Sequence, residues 1–242
     1  MRASGGVRPT DFARSLGTLI HAIAERFPEA DFDSMKHRLA SAWEELSFES
    51  EWESQREHER AEQMLHKFSS YVADQPRPSA KEEHGFKVPL PPAEGERNPI
   101  SISGSIDRID MTEDGRPVIT DLKTGKYPPT HEAVKTNDQL RTYQLAVIHG
   151  ALNDIEQIPE EHRNSPAAGL IVGLGSGDKY SLRRQESIVE TNHVQDAEQR
   201  VREAAAIMSA ADFLARHLPG GFPCANPGTC PLCSSGRQVT HP

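Results

Sequence analysis

The chain is poor in cysteine, and the little it has is badly placed for a disulfide framework. Its three cysteines, Cys224, Cys230 and Cys233, all lie at the C-terminal end of 242 residues. An odd, clustered set argues against disulfide staples. The opening "MRASGGVRPTDFARS" has no apolar h-region, so a secretory signal is not expected. No run of 18 or more apolar residues occurs, so no membrane-spanning helix is expected, and a cytoplasmic location is the default. Positive charge is not in excess: 27 Lys and Arg face 36 Asp and Glu, a net −9. A nucleic-acid role would therefore need a local basic surface, or metal ions that offset an acidic site. There is no Walker-type phosphate loop (Gly, four residues, then Gly-Lys-Ser/Thr), so no NTPase motor is expected in these residues. No internal repeat is visible. The balance of 36% hydrophobic and 26% charged residues fits a globular protein, long enough for one large domain or two small ones.

Several helices and strands can be read from periodicity. Asp11 to Phe27 reads as a helix, with Phe12, Leu16, Leu19, Ile20, Ile23 and Phe27 at three- and four-residue steps; Thr10 or Asp11 caps it and Pro28 ends it. Residues 31–47 and 51–74 are further helices, the latter with a core face of Met64, Leu65, Phe68 and Val72. Gly85–Leu90 is a short strand between the proline-rich stretches 74–80 and 90–99. "ISISGSIDRIDM", then "TEDG", then "RPVITDLK" predicts a β-hairpin over 100–123. Residues 131–151 return to helix. Residues 167–174 form an apolar strand, which 179–188 can join. Residues 192–217 form a long helix, and the chain from Pro219 is loop. This order predicts an α/β or α+β fold with a small mixed sheet. "GLGSG" at 173–177 reads as a turn rather than a dinucleotide loop.

The stretch "VITDLKTGK", Val118–Lys126, carries the chemistry. In a strand, residues i and i+2 share a face, so Asp121 and Lys123 look the same way near its end. The antiparallel hairpin can set Asp107 on the facing strand against them. Two carboxylates and a lysine at close range are costly without a partner. A hard divalent cation would resolve the conflict: Mg²⁺ takes one or two carboxylates, waters and phosphate oxygens. The lysine could then orient or help deprotonate a water, or stabilise charge developing on a phosphate. Asp110 is the alternative to Asp107. Gly17, His21 and Glu25, four apart, form a stripe beside the apolar face of the first helix, and Gln139 and Tyr143 share a face of a later one.

"GSIDRID…VITDLKTGK" resembles the PD-(D/E)XK nuclease signature of the RecB family, with Asp121-x-Lys123 as its D-x-K and Asp107 as its upstream aspartate. "GTLIHAIAE" resembles the family's first helix, whose histidine joins the metal site; here it is His21. "QLRTYQLAV" resembles its Q-L-x-x-Y helix, with Gln139 and Tyr143. The likeness covers about residues 10 to 233 and is greatest to the nuclease domain of actinobacterial AdnAB or AddAB helicase–nucleases. It implies an α/β, restriction-endonuclease-like core, a central mixed sheet flanked by helices. It also implies metal-dependent cleavage of single-stranded DNA in double-strand-break processing. Mg²⁺ or Mn²⁺ would be held by His21, Asp107, Asp121 and the Leu122 carbonyl. A helicase motor would lie in the same full-length chain or a partner subunit. The implied layout is an N-terminal tail (1–9), a nuclease domain (10–218) with a helical part (10–76), and a cysteine-containing tail (219–242).

Many relatives of the AddB and AdnB type carry a four-cysteine iron–sulfur staple. With no cysteine before Cys224, a complete 4Fe–4S cluster is not expected within this chain. Free thiols, or zinc on three thiolates and His241, are the alternatives. Arg108, Lys126, Lys135, Arg141, Arg183 and Arg184 are candidates for a basic rim on the DNA backbone. Two other functions compete with the nuclease: a catalytically silent DNA-threading or scaffolding module, and a CRISPR-associated RecB-like exonuclease.

Overall fold

A computed structural model describes residues 9–44, 46, 48, 50–93 and 99–209. The Cys224, Cys230 and Cys233 segment, His241 and the end of the 192–217 helix lie outside these residues. The chain divides into two compact units, Met1–Ala197 and Glu198–Pro242.

In the first unit, three helices precede the sheet: α1 (Pro9–Arg26), α2 (Phe32–Trp43) and α3 (Glu51–Ala73). Two are capped as their sequences suggest. Asp31 accepts from the Ser34 N–H at the start of α2, and Ser50 accepts from the Glu53 N–H at the start of α3. Strands β1 (Lys81–Leu90), β2 (Ile100–Met111) and β3 (Pro117–Lys123) follow. The 112–115 turn closes the β2–β3 hairpin, with Gly115 at φ +86°, a conformation suited to glycine. Two helices, α4 (His131–Lys135) and α5 (Asp138–Ile148), lead to β4 (Ala168–Gly173) and β5 (Ser181–Glu186). Helix α6 (Val194–Met208) begins in this unit; its residues from Glu198 belong to the second.

The sheet runs β1-β2-β3-β4-β5, antiparallel except for the parallel β3–β4 pair. A parallel pair needs a long crossover, and α4 and α5 supply it. The expected single helix over 131–151 is two. Asn137 interrupts it by capping α5, its side chain accepting from the Leu140 N–H. Gly150, at φ +94°, lies just past the α5 cap residue His149.

Strand alternation sorts β3 cleanly. Leu122 of β3 and its β4 register partner Val172 face α1–α3 and pack with Leu16, Ile20, Met35, Met64 and Phe68 in the main core. The odd residues of β3 face the other way, where Ile171, the register partner of Asp121, packs with Val134 and Leu140.

The even face also buries a polar network. Asp110 accepts from Arg108 Nε (2.7 Å), Thr120 Oγ1 (2.7 Å) and the Tyr71 hydroxyl. Arg108 also donates to the Pro28 carbonyl and to Glu82. Burial and the charge of Asp110 push the Tyr71 hydroxyl well above its usual pKa, so it stays a donor. Removing one partner of such a buried pair leaves an uncompensated charge. Asp110→Ala is therefore expected to lower the unfolding free energy by about 3–5 kcal/mol in urea denaturation.

Candidate active site

The β2–β3 ladder pairs Met111 with Pro117, Asp110 with Val118, Ile109 with Ile119 and Arg108 with Thr120. One more step sets Asp107 across from Asp121, on the odd face. Backbone pairing stops there, and the Asp107 carboxylate takes over: its Oδ2 accepts from the Leu122 N–H at 2.8 Å. On the other side of β2, the β1 ladder also lapses opposite Asp107. Glu83, at φ +40°, has no register partner between the Glu82–Arg108 and His84–Ile106 pairs. A left-handed backbone at a non-glycine residue costs on the order of 1–3 kcal/mol, and such strain collects at functional sites.

Asp121 is 3% exposed. Its Oδ1 accepts from Gln139 Nε2 at 2.9 Å and from Lys123 Nζ at 3.2 Å. Lys123 Nζ lies nearer Oδ2, at 2.8 Å, so its ammonium is ion-paired across both carboxylate oxygens. Lys123 also donates to Gln139 Oε1, and Gln139 to the Tyr143 hydroxyl. Gln139 and Tyr143, one turn apart on α5, thus brace the aspartate and the lysine together. A Cβ on Gly104 would press on the Phe86 ring at 3.3 Å and meet the Tyr143 ring in ordinary contact at 3.5 Å. Helix α1 brings His21 Nδ1 to 3.4 Å from Asp107 Oδ1.

The electrostatics follow from burial and proximity. Burial lowers the pKa of His21, but its bond to Asp107 and the charges of Asp107 and Asp121 outweigh that, and the result is raised. Burial raises the Asp121 carboxyl, with Lys123 opposing and Asp107 adding, and the net shift is upward.

Asp107, Asp121, Lys123, Gln139, Tyr143 and His21 are brought together. Asp110 is not among them; three residues from Asp107, it falls on the opposite face and is fully engaged there. The basic rim needs correction. Arg108 is 1% exposed and Arg141 9%, so neither offers a free guanidinium to a DNA backbone. Arg108 belongs to the Asp110 network, and Arg141 donates to the Lys135 carbonyl. Lys135 and Arg184 pair with Glu132 and Glu186. Lys126 remains exposed. The sequence reading passed over Arg60, whose Nη2 donates to the Thr124 carbonyl beside Lys123. Its signal was the Arg56–Arg60 spacing on one face of α3.

Among the described residues, no three His, Cys, Asp or Glu side chains converge as a ready cation site. The donor set fits a hard divalent cation nonetheless. Two carboxylates share one face, one of them buried, and a Mg²⁺ site commonly uses only one or two protein carboxylates.

The description of the PD-(D/E)XK nuclease superfamily matches residues 1–235, and the chain belongs to that superfamily. Its members are typically metal-dependent nucleases, and the mixed five-stranded sheet flanked by helices is consistent with their restriction-endonuclease-like fold. No curated protein matches the chain. No helix among the described residues is long and apolar enough to cross a membrane.

The raised Asp121 pKa means the folded chain holds that proton more tightly than the unfolded chain. Stability from this group is complete below its ordinary pKa and is lost as pH rises through the folded value. In chelator, Asp121→Asn is expected to melt above wild type at pH 7, and the gap is expected to shrink as pH falls toward about 4. Thermal unfolding at both pH values checks this.

Proposed function

We propose that the protein is a Mg²⁺- or Mn²⁺-dependent deoxyribonuclease of the RecB type. It hydrolyses phosphodiesters of single-stranded DNA in an exonuclease-like manner. It serves double-strand-break processing beside a helicase motor in the same full-length chain or a partner subunit. The observation that carries this reading is the Asp107–Asp121–Lys123 constellation, with Asp121 buried and ion-paired with Lys123.

Asp107 and Asp121 would hold the metal, with His21 and the Leu122 carbonyl beside them. When bound, the divalent ion polarises the phosphoryl oxygen and acidifies a water. Lys123 orients that water or stabilises charge on the phosphate. Gln139 holds Lys123 and Asp121 in register, and Tyr143 holds Gln139. His21 holds Asp107 by its contact with Oδ1.

The test is cleavage of labelled single-stranded DNA with Mg²⁺, with Mn²⁺ and with EDTA. Wild type is expected to cut with either metal. Asp121→Ala is expected to lose cutting altogether while its circular dichroism is unchanged. Lys123→Ala should lose at least about a hundredfold in rate, the scale of a lost transition-state donor. Metal-dependent cutting retained by Asp121→Ala would overturn the assignment.

A further inference from the structure

Past Lys123 the chain stays pinned at the site. The Thr124 carbonyl accepts from Arg60 Nη2 of α3 at 3.1 Å. A Cβ on Gly175 would lie 2.3 Å from the Thr124 and Gly125 carbonyl oxygens, so glycine lets the β4–β5 turn lie against this segment. A Cβ on Gly173 would come within 3.2 Å of Pro128. Lys67, also on α3, holds the turn by donating to the Leu174 and Ser176 carbonyls at 3.0 and 3.2 Å. The segment is thus packed at Thr124, Gly125 and Pro128. Between these points Lys126 and Tyr127 are presented to solvent. Tyr127 is 84% exposed, and Lys126 Nζ lies 5.8 Å from the centre of its ring.

A second pair of this kind lies on α3, connected to the first through Arg60. Arg60 and Arg56 both donate to Glu57, at 3.2 and 2.8 Å. The Arg56 guanidinium lies 4.8 Å from the ring centre of Trp52, which is 68% exposed. Trp52 and Arg60 are eight residues apart, about 12 Å along a helix. One bare aromatic on a surface is ordinary. Here two occur, each beside a cation. Hydrogen bonds run from Arg56, the cation beside Trp52, through Glu57 and Arg60 to the Thr124 carbonyl, three residues before Tyr127. Aromatic faces for bases and cations for phosphates are the elements by which proteins grip single strands without reading sequence.

We propose that Tyr127 with Lys126, and Trp52 with Arg56, form a track for one nucleic-acid strand. It runs from the end of β3 along α3, with Arg60 between the two pairs. The inference rests on the nuclease reading of the site and adds where the strand lies. Unpaired bases stack on Tyr127 close to the site and on Trp52 farther along. Duplex bases, already stacked on one another, gain nothing from either ring.

The test is binding of labelled oligothymidine, about 5 and about 15 nucleotides long, in EDTA so that nothing is cut. Tyr127→Ala is expected to weaken both lengths at least about fivefold, and Trp52→Ala only the longer one. Tyr127→Phe and Trp52→Phe, which keep a ring, should bind near wild type. Duplex affinity should not change. The chain has two tryptophans, and Trp43 is packed on Phe48, so strand binding should quench Trp52 and the quench should vanish in Trp52→Phe. If both alanine variants bind like a wild type that still cuts with metal, the track is wrong and the nuclease reading stands. If wild type neither binds a single strand nor cuts it with Mg²⁺ or Mn²⁺, both fall.

Discussion

A carboxylate almost wholly withdrawn from water at the end of a strand is unfavourable unless something meets its charge. Asp121 is met by Gln139 on one oxygen and by the Lys123 ammonium across both. Much of the structure serves that arrangement. The β3–β4 parallel pair places Asp121 in the middle of the sheet. The crossover carries α5 over the odd face, so that Gln139 can reach it. Where both ladders lapse at Asp107, its carboxylate takes the Leu122 N–H on the same face as Asp121. Proteins keep such charges for the chemistry they allow, and the upward shift of the Asp121 pKa is the stability cost of doing so.

The sheet separates two kinds of buried charge by strand parity. On the odd face, Asp107, Asp121 and Lys123 meet His21 of α1 and Gln139 of α5. On the even face, Asp110, Arg108, Thr120 and Tyr71 are bonded to one another beneath α3. The two aspartates of "IDRID" thus have opposite roles three residues apart. One accepts from the Leu122 N–H beside Asp121 and Lys123, and the other anchors a core arginine. A shift of one residue in the hairpin register would exchange them, so the hydrophobic pattern of β2 and β3 also selects the site.

Local signals carried much of this into view. The 100–123 hairpin follows from alternation and the "TEDG" turn, and the helices from three- and four-residue spacing and their caps. The Asp121–Lys123 pair follows from the two-residue strand period. The split of 131–151 is not visible in the sequence because the cap made by Asn137 shows only once the Leu140 N–H is placed. Arg108 and Arg141 were taken for surface because arginine usually is. Their burial depends on Asp110, Glu82 and carbonyls that sequence spacing does not bring near.

By itself, the sequence determined the order of elements, the mixed sheet, the residue types of the site and the likeness to PD-(D/E)XK nucleases. These rest on short-range periodicities and on motifs a few residues long. Only the tertiary structure decided that Gln139 bonds Asp121 and that Asp110 turns away. It also decided that Arg60, from a helix about sixty residues upstream, holds the backbone beside Lys123. Those contacts join residues distant along the chain, and their partners are chosen by packing across the sheet.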